Sequence, residues 1–86
     1  MILGFANQAW DDYLYWQQND KQILKRVNLL IKDIKRSPYS KDGLGKPEKL
    51  KGDLGEYYSR RITSEHRLVY KIINDLIIIA QCRFHY

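Results

Sequence analysis

The sequence predicts an α+β fold in which two N-terminal helices pack on a small antiparallel β-sheet. Up to residue 36, apolar residues recur at helical spacing, whereas after Gly55 polar and apolar residues alternate with a period of two. The segment between these patterns, 37–55, contains both prolines and four of the five glycines, which is typical of a loop. With 86 residues there is room for one modest core, so residues 1–86 are expected to form a single domain.

Two helices and a short strand are predicted in the first half of the chain. The apolar segment 1–5 is interpreted as a first strand, and Asn7 as the N-cap of the helix that follows it. Asp20 offers the N-cap of a second helix, which ends at Ser37-Pro38 because proline disfavours helical backbone in the residue before it. The apolar stripe of this second helix comprises Ile23, Leu24, Val27, Leu30, Ile31 and Ile34.

Three strands are predicted in the second half, over 57–63, 66–73 and 76–86, with turns at 64–65 and 74–75. Alternation in the last strand predicts two faces, with Leu76, Ile78, Ala80, Cys82, Phe84 and Tyr86 on one and Ile77, Ile79, Gln81, Arg83 and His85 on the other. The strand is apolar on both faces at its start and polar on one face near its end. This end of the sheet is therefore expected to be open to solvent or to a ligand.

The chain is basic, with 15 Lys and Arg against 10 Asp and Glu. Segment 32–71 holds eleven basic and six acidic residues, whereas the segments on either side of it are neutral. The whole net charge of +5 therefore lies in the middle of the chain, which suits an anionic partner such as RNA, DNA or an acidic protein segment. A solvated basic surface without such a partner is the alternative.

The cysteine and histidine content excludes some kinds of site. Cys82 is the only cysteine, so an internal disulfide is impossible. Neither it nor the two histidines show the spacing of metal ligands, so no metal site is expected. No stretch has the length of a transmembrane helix, and the N-terminus lacks the basic region and cleavage site of a signal peptide. A cytoplasmic protein without membrane contact is therefore expected.

Metal-free cleavage of RNA needs a base for the 2′-OH proton, an acid for the 5′-oxygen, cations for the charged phosphorane and groups that hold the nucleotide in line. His85 is the candidate acid, because neighbouring anions favour the protonated form of a histidine. Glu48 is the candidate base, although three lysines within three residues of it favour its ionised form and make it a weak one. A surface histidine and a glutamate that balances these lysines are the alternatives.

Three arginines, Arg60, Arg61 and Arg67, lie on two adjacent predicted strands, where Arg61 and Arg67 could approach one another. Like charges in contact are unfavourable unless an anion lies between them, and guanidinium groups match the geometry of phosphate. Pairing with Glu56 or Glu65 is the alternative. The aromatic residues mixed with these arginines, which could stack on RNA bases or pack in the core, are Tyr57, Tyr58, Phe84 and Tyr86.

Five segments form an ordered set that extends over the whole chain: WDDYLYW (10–16), GKPE (45–48), SRRIT (59–63), EHRLVY (65–70) and the terminal HY (85–86). Together they resemble the YoeB-type toxins of the RelE superfamily, the ribosome-dependent mRNA interferases of bacterial type II toxin–antitoxin pairs. The resemblance implies a RelE-like fold. It also implies an endoribonuclease that cleaves mRNA in the ribosomal A site, and so inhibits translation, by general acid–base catalysis without a metal or cofactor.

The resemblance further implies a role for each site residue and a set of partners. Glu48 would be the general base, His85 the general acid and Arg67 the group that stabilises the transition state. The implied partners are mRNA and rRNA at the A site of the 30S subunit, a cognate antitoxin with an acidic C-terminal segment, and a second copy in a homodimer. The residues that would bind the scissile phosphate and position the nucleotide are Lys51, Arg61 and Tyr86.

Two other functions remain open from the sequence. A ParE-type toxin, which poisons DNA gyrase, shares the scaffold without the RNA-cleaving residues. Glu48 and the terminal pair His85-Tyr86 argue against that alternative. A basic module that binds RNA without cutting it is the second alternative, and it differs from a nuclease in producing no new RNA ends.

Overall fold

The computed structural model describes residues 1–84 and contains two helices packed on one face of a five-stranded sheet. The strand order is β1-β5-β4-β3-β2, so the predicted α+β class is confirmed. The predicted site residues His85 and Tyr86 lie outside the described residues. The elements in chain order are β1 (Ile2–Phe5), α1 (Asn7–Asn19), α2 (Lys21–Arg36), β2 (Glu48–Lys49), a 3₁₀ turn (Gly52–Leu54), β3 (Tyr57–Arg61), β4 (Arg67–Ile73) and β5 (Leu76–Gln81).

One pairing in the sheet is parallel, so the sheet is mixed rather than wholly antiparallel. β1 runs parallel to β5, with Ile2 opposite Leu76 and Phe5 opposite Ile79, whereas the other neighbouring strands are antiparallel. Parallel neighbours need a long connection between them. Here both helices and the rest of the sheet form that connection, and no local pattern in the sequence marks a pairing over such a distance.

The observed N-cap is the predicted residue in α2 but not in α1. The carboxylate of Asp20 accepts hydrogen bonds from the backbone N–H groups of Gln22 and Ile23, both at 3.1 Å, and so caps α2 as predicted. The predicted cap at Asn7 is wrong, because Ala6 is the N-cap and Asn7 is already helical. Within residues 1–84, no helix combines the length and apolarity needed to cross a bilayer.

The core lies between the two helices and the sheet. Four residues of the predicted α2 stripe are buried, and the other two, Ile23 and Leu24, pack against them. The indole of Trp16 is also buried, where Nε1 donates a hydrogen bond to the carbonyl of Cys82 at 2.8 Å. The buried cluster comprises Ala9, Trp16, Val27, Leu30, Ile31, Ile34, Ile62, Leu68, Tyr70, Ile77, Ile79 and Cys82.

A β-bulge interrupts the pairing of β5 with β4. Tyr70 lies opposite Ile79, but the residue before Tyr70 on β4, Val69, lies opposite Gln81. Ala80 is therefore the extra residue of the bulge. An extra residue reverses the alternation of faces, because side chains point to opposite sides of a strand with a period of two.

The bulge corrects two predictions about the end of the chain. Cys82 is fully buried against α1, on the same side of the sheet as Ile79, instead of sharing a face with Leu76 and Ile78. β5 also ends at Gln81, so the predicted strand over 76–86 is too long. The faces assigned from the sequence hold only as far as the bulge.

Candidate active site

The sheet face opposite the helices carries three of the predicted site residues. Glu48 of β2 lies opposite Ser59 of β3, which in turn lies opposite Val69 of β4. Two residues further along β3, Arg61 lies opposite Arg67. Residues directly opposite one another, and residues two apart on one strand, point to the same side of a sheet. Glu48, Arg61 and Arg67 therefore share this face, which we call the open face.

Ser59 connects Arg67 to the position opposite Glu48. Its side chain is fully buried, and its hydroxyl accepts a hydrogen bond from Nη1 of Arg67 at 3.1 Å. The guanidinium of Arg67 is therefore held beside the position opposite Glu48. Ser59 was not among the site residues predicted from the sequence, although the alternation of β3 places it between Tyr57 and Arg61 on one face.

Arg67 is also held by its backbone. Its N–H donates a hydrogen bond to the carbonyl of Phe84 at 3.0 Å, so the end of the described chain lies next to the first residue of β4. His85 and Tyr86 follow Phe84 in the sequence. Because both lie outside the described residues, their roles as acid and nucleotide-positioning group stay predictions.

The loop before β2 brings Glu48 to the open face through two residues with left-handed backbone, Gly45 with φ of 83° and Lys46 with φ of 52°. A Cβ atom on Gly45 would lie 2.7 Å from a side-chain carbon of Leu30 and 3.0 Å from the carbonyl oxygen of Arg61. Only glycine fits this position without strain. The N–H of Arg61 donates to the carbonyl of Gly45 at 2.7 Å, which fastens the loop to the end of β3.

Lys51 lies close to Glu48 at the exposed edge of the sheet. Both residues line an open cavity of about 500 Å³ together with Lys49, Leu50 and Leu54. Lys51 is exposed and immediately precedes the 3₁₀ turn. The ammonium of Lys49 lies 5.7 Å from the ring centroid of Tyr58, on the other side of the sheet. Glu48 and Lys51 are therefore the residues of this cavity that could hold a phosphate beside a proton acceptor.

Arg60 does not belong to the open face, contrary to the predicted cluster of three arginines. Its side chain is fully buried on the helix side of the sheet, where Nη1 lies 2.5 Å from Oδ2 of Asp33. Glu56, one of the two predicted alternative partners, instead lies 3.7 Å from the ammonium of Lys71. The pair Arg61 and Arg67 is what remains of the cluster.

Asp33 was missed by the sequence analysis because its partner lies on a distant strand. Besides the ion pair with Arg60, the carboxylate accepts hydrogen bonds from the N–H of Leu44 at 3.0 Å and from Nη2 of Arg36 at 2.5 Å. The Leu44 N–H and the Arg60 guanidinium are the main causes that hold the pKa of Asp33 below its ordinary value. This buried pair attaches the loop after α2 to the sheet and has a structural role.

Aromatic rings lie on both faces of the sheet. Tyr58 faces the helices, where its ring stacks on that of Tyr70 with centroids 5.4 Å apart. Tyr57 lies on the open face, and the ammonium of Lys71 is 5.2 Å from its ring centroid. Phe84 is 56% exposed, so core packing is wrong for this residue. Tyr57 and Phe84 are therefore the described rings on which a base could stack.

The described residues show no cluster of metal ligands, and their one cysteine is buried. Among residues 1–84, no three His, Cys, Asp or Glu side chains converge as the ligands of a metal ion would. Burial raises the pKa of Cys82 to about 12, and the neighbouring Asp12 carboxylate contributes in the same direction. The thiol therefore stays protonated and is neither a nucleophile nor a ligand.

Comparison with known proteins identifies the family of a chain with this fold and this open face. The family of YoeB-like toxins of bacterial type II toxin–antitoxin systems matches residues 5–86. The chain belongs to this family. Toxin YoeB of Escherichia coli strain K12 is 55% identical to this toxin over 86 residues, which is 100% of both chains. The fold agrees, since a YoeB/ParE toxin from Agrobacterium tumefaciens superposes with a TM-score of 0.94 at 48% identity over 100% of both chains.

Two solved structures from Staphylococcus aureus are also close to this toxin. One is a YoeB dimer, with a TM-score of 0.89, and the other a heterotetrameric YoeB–YefM toxin–antitoxin complex, with a TM-score of 0.88. In both, the S. aureus toxin is 51% identical to this one, and the match covers 100% of this chain and 98% of that chain. The protein is thus a toxin of a type II toxin–antitoxin system.

Proposed function

We propose that this toxin is a metal-independent endoribonuclease that cleaves mRNA in the A site of the ribosome and so inhibits translation in the cytoplasm. The observation that carries the proposal is the bond from Arg67 to Ser59, the residue directly opposite Glu48. It brings the guanidinium of Arg67 close to the position opposite Glu48 on one sheet face, which supports their proposed roles as phosphate-binding cation and base. Transesterification of RNA requires both groups on one phosphodiester.

In the proposed reaction, Glu48 accepts the proton of the 2′-OH while the 2′-oxygen attacks phosphorus. The guanidinium of Arg67 stabilises the negative charge of the phosphorane, and Lys51 and Arg61 bind the other phosphate oxygens. The bond from phosphorus to the 5′-oxygen then breaks, and His85 gives its proton to that oxygen. The products are a 2′,3′-cyclic phosphate and a 5′-hydroxyl, so protons and electrons balance without a cofactor.

The proposed partners follow from charge and from the relatives. A toxin with an excess of +5 charges in 32–71 is attracted to rRNA and to mRNA through release of their counterions. The S. aureus relative assembles with YefM, so a cognate antitoxin is the expected partner here, and an acidic C-terminal segment would compete with RNA for the basic residues of the open face. A homodimer is proposed on the same grounds, from the S. aureus YoeB dimer.

Mapping of mRNA 5′ ends after induction of the toxin in bacteria tests the proposal. The parent should produce new 5′-hydroxyl ends within codons at the A site, and Arg67→Ala should produce far fewer of them. Glu56→Gln is the control, because it removes an exposed carboxylate that precedes β3 and lies 3.7 Å from the ammonium of Lys71. Growth arrest without new ends would contradict the proposal. Inhibition of DNA relaxation by gyrase would then support the ParE-type alternative. Ribosome binding without cleavage would support the RNA-binding module.

A further inference from the structure

The imidazole of His66 holds Phe84, the last described residue, by its backbone. Nδ1 of His66 accepts a hydrogen bond from the N–H of Phe84 at 2.8 Å. The carbonyl of Phe84 accepts one from the N–H of Arg67 at 3.0 Å. His66, which immediately precedes β4, and Arg67, its first residue, therefore bind both polar backbone groups of Phe84, and we call this arrangement the clip.

Phe84 has a backbone conformation that needs such support. Its φ of 62° lies in the left-handed region, which bulky L-residues rarely adopt. A residue in this region persists when its surroundings over-determine it, and such residues cluster at functional sites. Phe84 is 56% exposed, so burial does not fix the residue. Its restraints are the hydrogen bonds of the clip and the contacts of its ring with the imidazole of His66, at 5.5 Å between centroids, and with the guanidinium of Arg83, at 4.4 Å from the ring centroid.

The imidazole of the clip is itself fixed in place. The ring packs edge-on against the indole of Trp16, with centroids 4.8 Å apart. The backbone N–H of His66 donates a hydrogen bond to Oγ1 of Thr63 at 3.1 Å. The same indole donates to the carbonyl of Cys82 at 2.8 Å. The segment 82–84 is thus held at its start by α1 and at its end by His66. Because Nδ1 is an acceptor in the clip, the ring proton lies on Nε2.

We propose that His66 is a positioning residue for the cleavage reaction, because it fixes the backbone of Phe84, the residue that precedes the proposed acid in the sequence, beside Arg67. A fixed Phe84 backbone holds the chain in place immediately before the proposed acid, next to the hydrogen bond that Phe84 makes with Arg67. The inference rests on the proposed function, because it gives His66 a part in placing the proposed acid. His66 itself makes no contact with RNA in this account.

Two substitutions separate the hydrogen bond of the clip from the packing of the ring. In His66→Phe the ring keeps its contact with Trp16 but has no acceptor for the Phe84 N–H. In His66→Asn the side-chain oxygen takes the place of Nδ1 and restores the acceptor. We expect His66→Phe to fold and to bind ribosomes with an unchanged KM. Its kcat for mRNA cleavage should fall by about 10²-fold, the loss typical of a misplaced catalytic group. His66→Asn should recover most of that rate.

Amide hydrogen exchange of Phe84 in the free toxin tests the clip without reference to cleavage. Exchange should be slow in the parent and in His66→Asn, and fast in His66→Phe. An unprotected Phe84 amide in the parent overturns the positioning role. So does a His66→Phe variant that exposes this amide and still cuts at the parental rate. A parent toxin that cuts no mRNA contradicts the proposed function itself, and this result is visible before any variant is compared.

Discussion

Nη1 of Arg67 donates a hydrogen bond to the hydroxyl of Ser59 at 3.1 Å, and Ser59 lies directly opposite Glu48 across the β2–β3 pairing. A residue without an acid–base role thereby sets the distance between the proposed base and the proposed phosphate-binding cation. Ser59 is fully buried, so its hydroxyl is held in one place by its surroundings. The geometry of the open face therefore depends on a side chain that does no chemistry.

Ser59→Ala should lower the cleavage rate by about 10- to 100-fold, because a hydrogen bond to a charged group contributes roughly 1.5–3 kcal/mol and this one orients the guanidinium. Single-turnover cleavage of mRNA on ribosomes with a defined A-site codon measures the effect. Ser64→Ala, in the exposed turn between β3 and β4, is the control and should cut as the parent does. An unchanged rate in Ser59→Ala would mean that other contacts orient Arg67.

Glu48→Gln and Arg67→Ala should both reduce cleavage by about 10²–10⁴-fold, which is the range for loss of a general base. The larger loss is expected in Arg67→Ala, because electrostatic stabilisation of the transition state is usually the largest single contribution. Urea unfolding should give nearly parental midpoints for both variants. If Glu48→Gln cuts as fast as the parent, Glu48 is not the base.

Asp33→Asn should destabilise the fold by about 3–5 kcal/mol at neutral pH, because it leaves the buried charge of Arg60 without a counter-ion. The pKa of Asp33 is lowered in the folded state, chiefly by the Leu44 N–H and then by Arg60. The stability that its ionised form contributes is therefore fully present above its ordinary pKa of 3.8 and is lost as the pH falls through the lower folded value.

Urea unfolding of the parent and of Asp33→Asn, measured as a function of pH, tests whether the stability that Asp33 contributes is lost in acid. The difference in free energy of unfolding between them should stay constant from neutral pH down to about 5 and narrow below about 4. A difference that grows in acid would contradict the assignment of Asp33 as the ionised partner of Arg60.

The thiol of Cys82 should be inert in the native toxin. Burial raises the pKa of Cys82 to about 12, so the reactive thiolate is a fraction of about 10⁻⁴ at pH 8. 5,5′-Dithiobis(2-nitrobenzoic acid) should modify no thiol in the folded protein and one thiol per chain in urea. Rapid modification without urea would show that Cys82 does not lie beneath α1.

The helices and most strands follow from local signals in the sequence. The carboxylate of Asp20, the stripe that ends at Ile34 and the proline after Ser37 define α2 to within a residue. The parallel pairing of β1 with β5 carries no such signal, because it joins residues at opposite ends of the chain. The bulge at Ala80 could not be predicted either, because a period-two pattern of side chains holds only where no extra residue is inserted.

The candidate site could be predicted only where it depends on local alternation along a strand. Arg61 and Arg67 lie opposite one another as their strands predict. Arg60, the residue next to Arg61, is identical in chemistry but points to the helices, where only the fold reveals its partner Asp33. His66 was part of a conspicuous segment, yet its bond to Phe84 depends on where the chain turns after the bulge.

Replacement of both His85 and Tyr86 by alanine gives the most direct measurement of the central claim, that this toxin cuts mRNA with an acid at its C-terminus. Alanine substitution is preferable to truncation, because the carbonyl of Phe84 accepts the N–H of Arg67 and a cut chain would place a carboxylate there. The double variant should match the parent in circular dichroism and should cleave mRNA on ribosomes more slowly by about 10²–10⁴-fold or more. A folded double variant that cleaves at the parental rate would contradict the account.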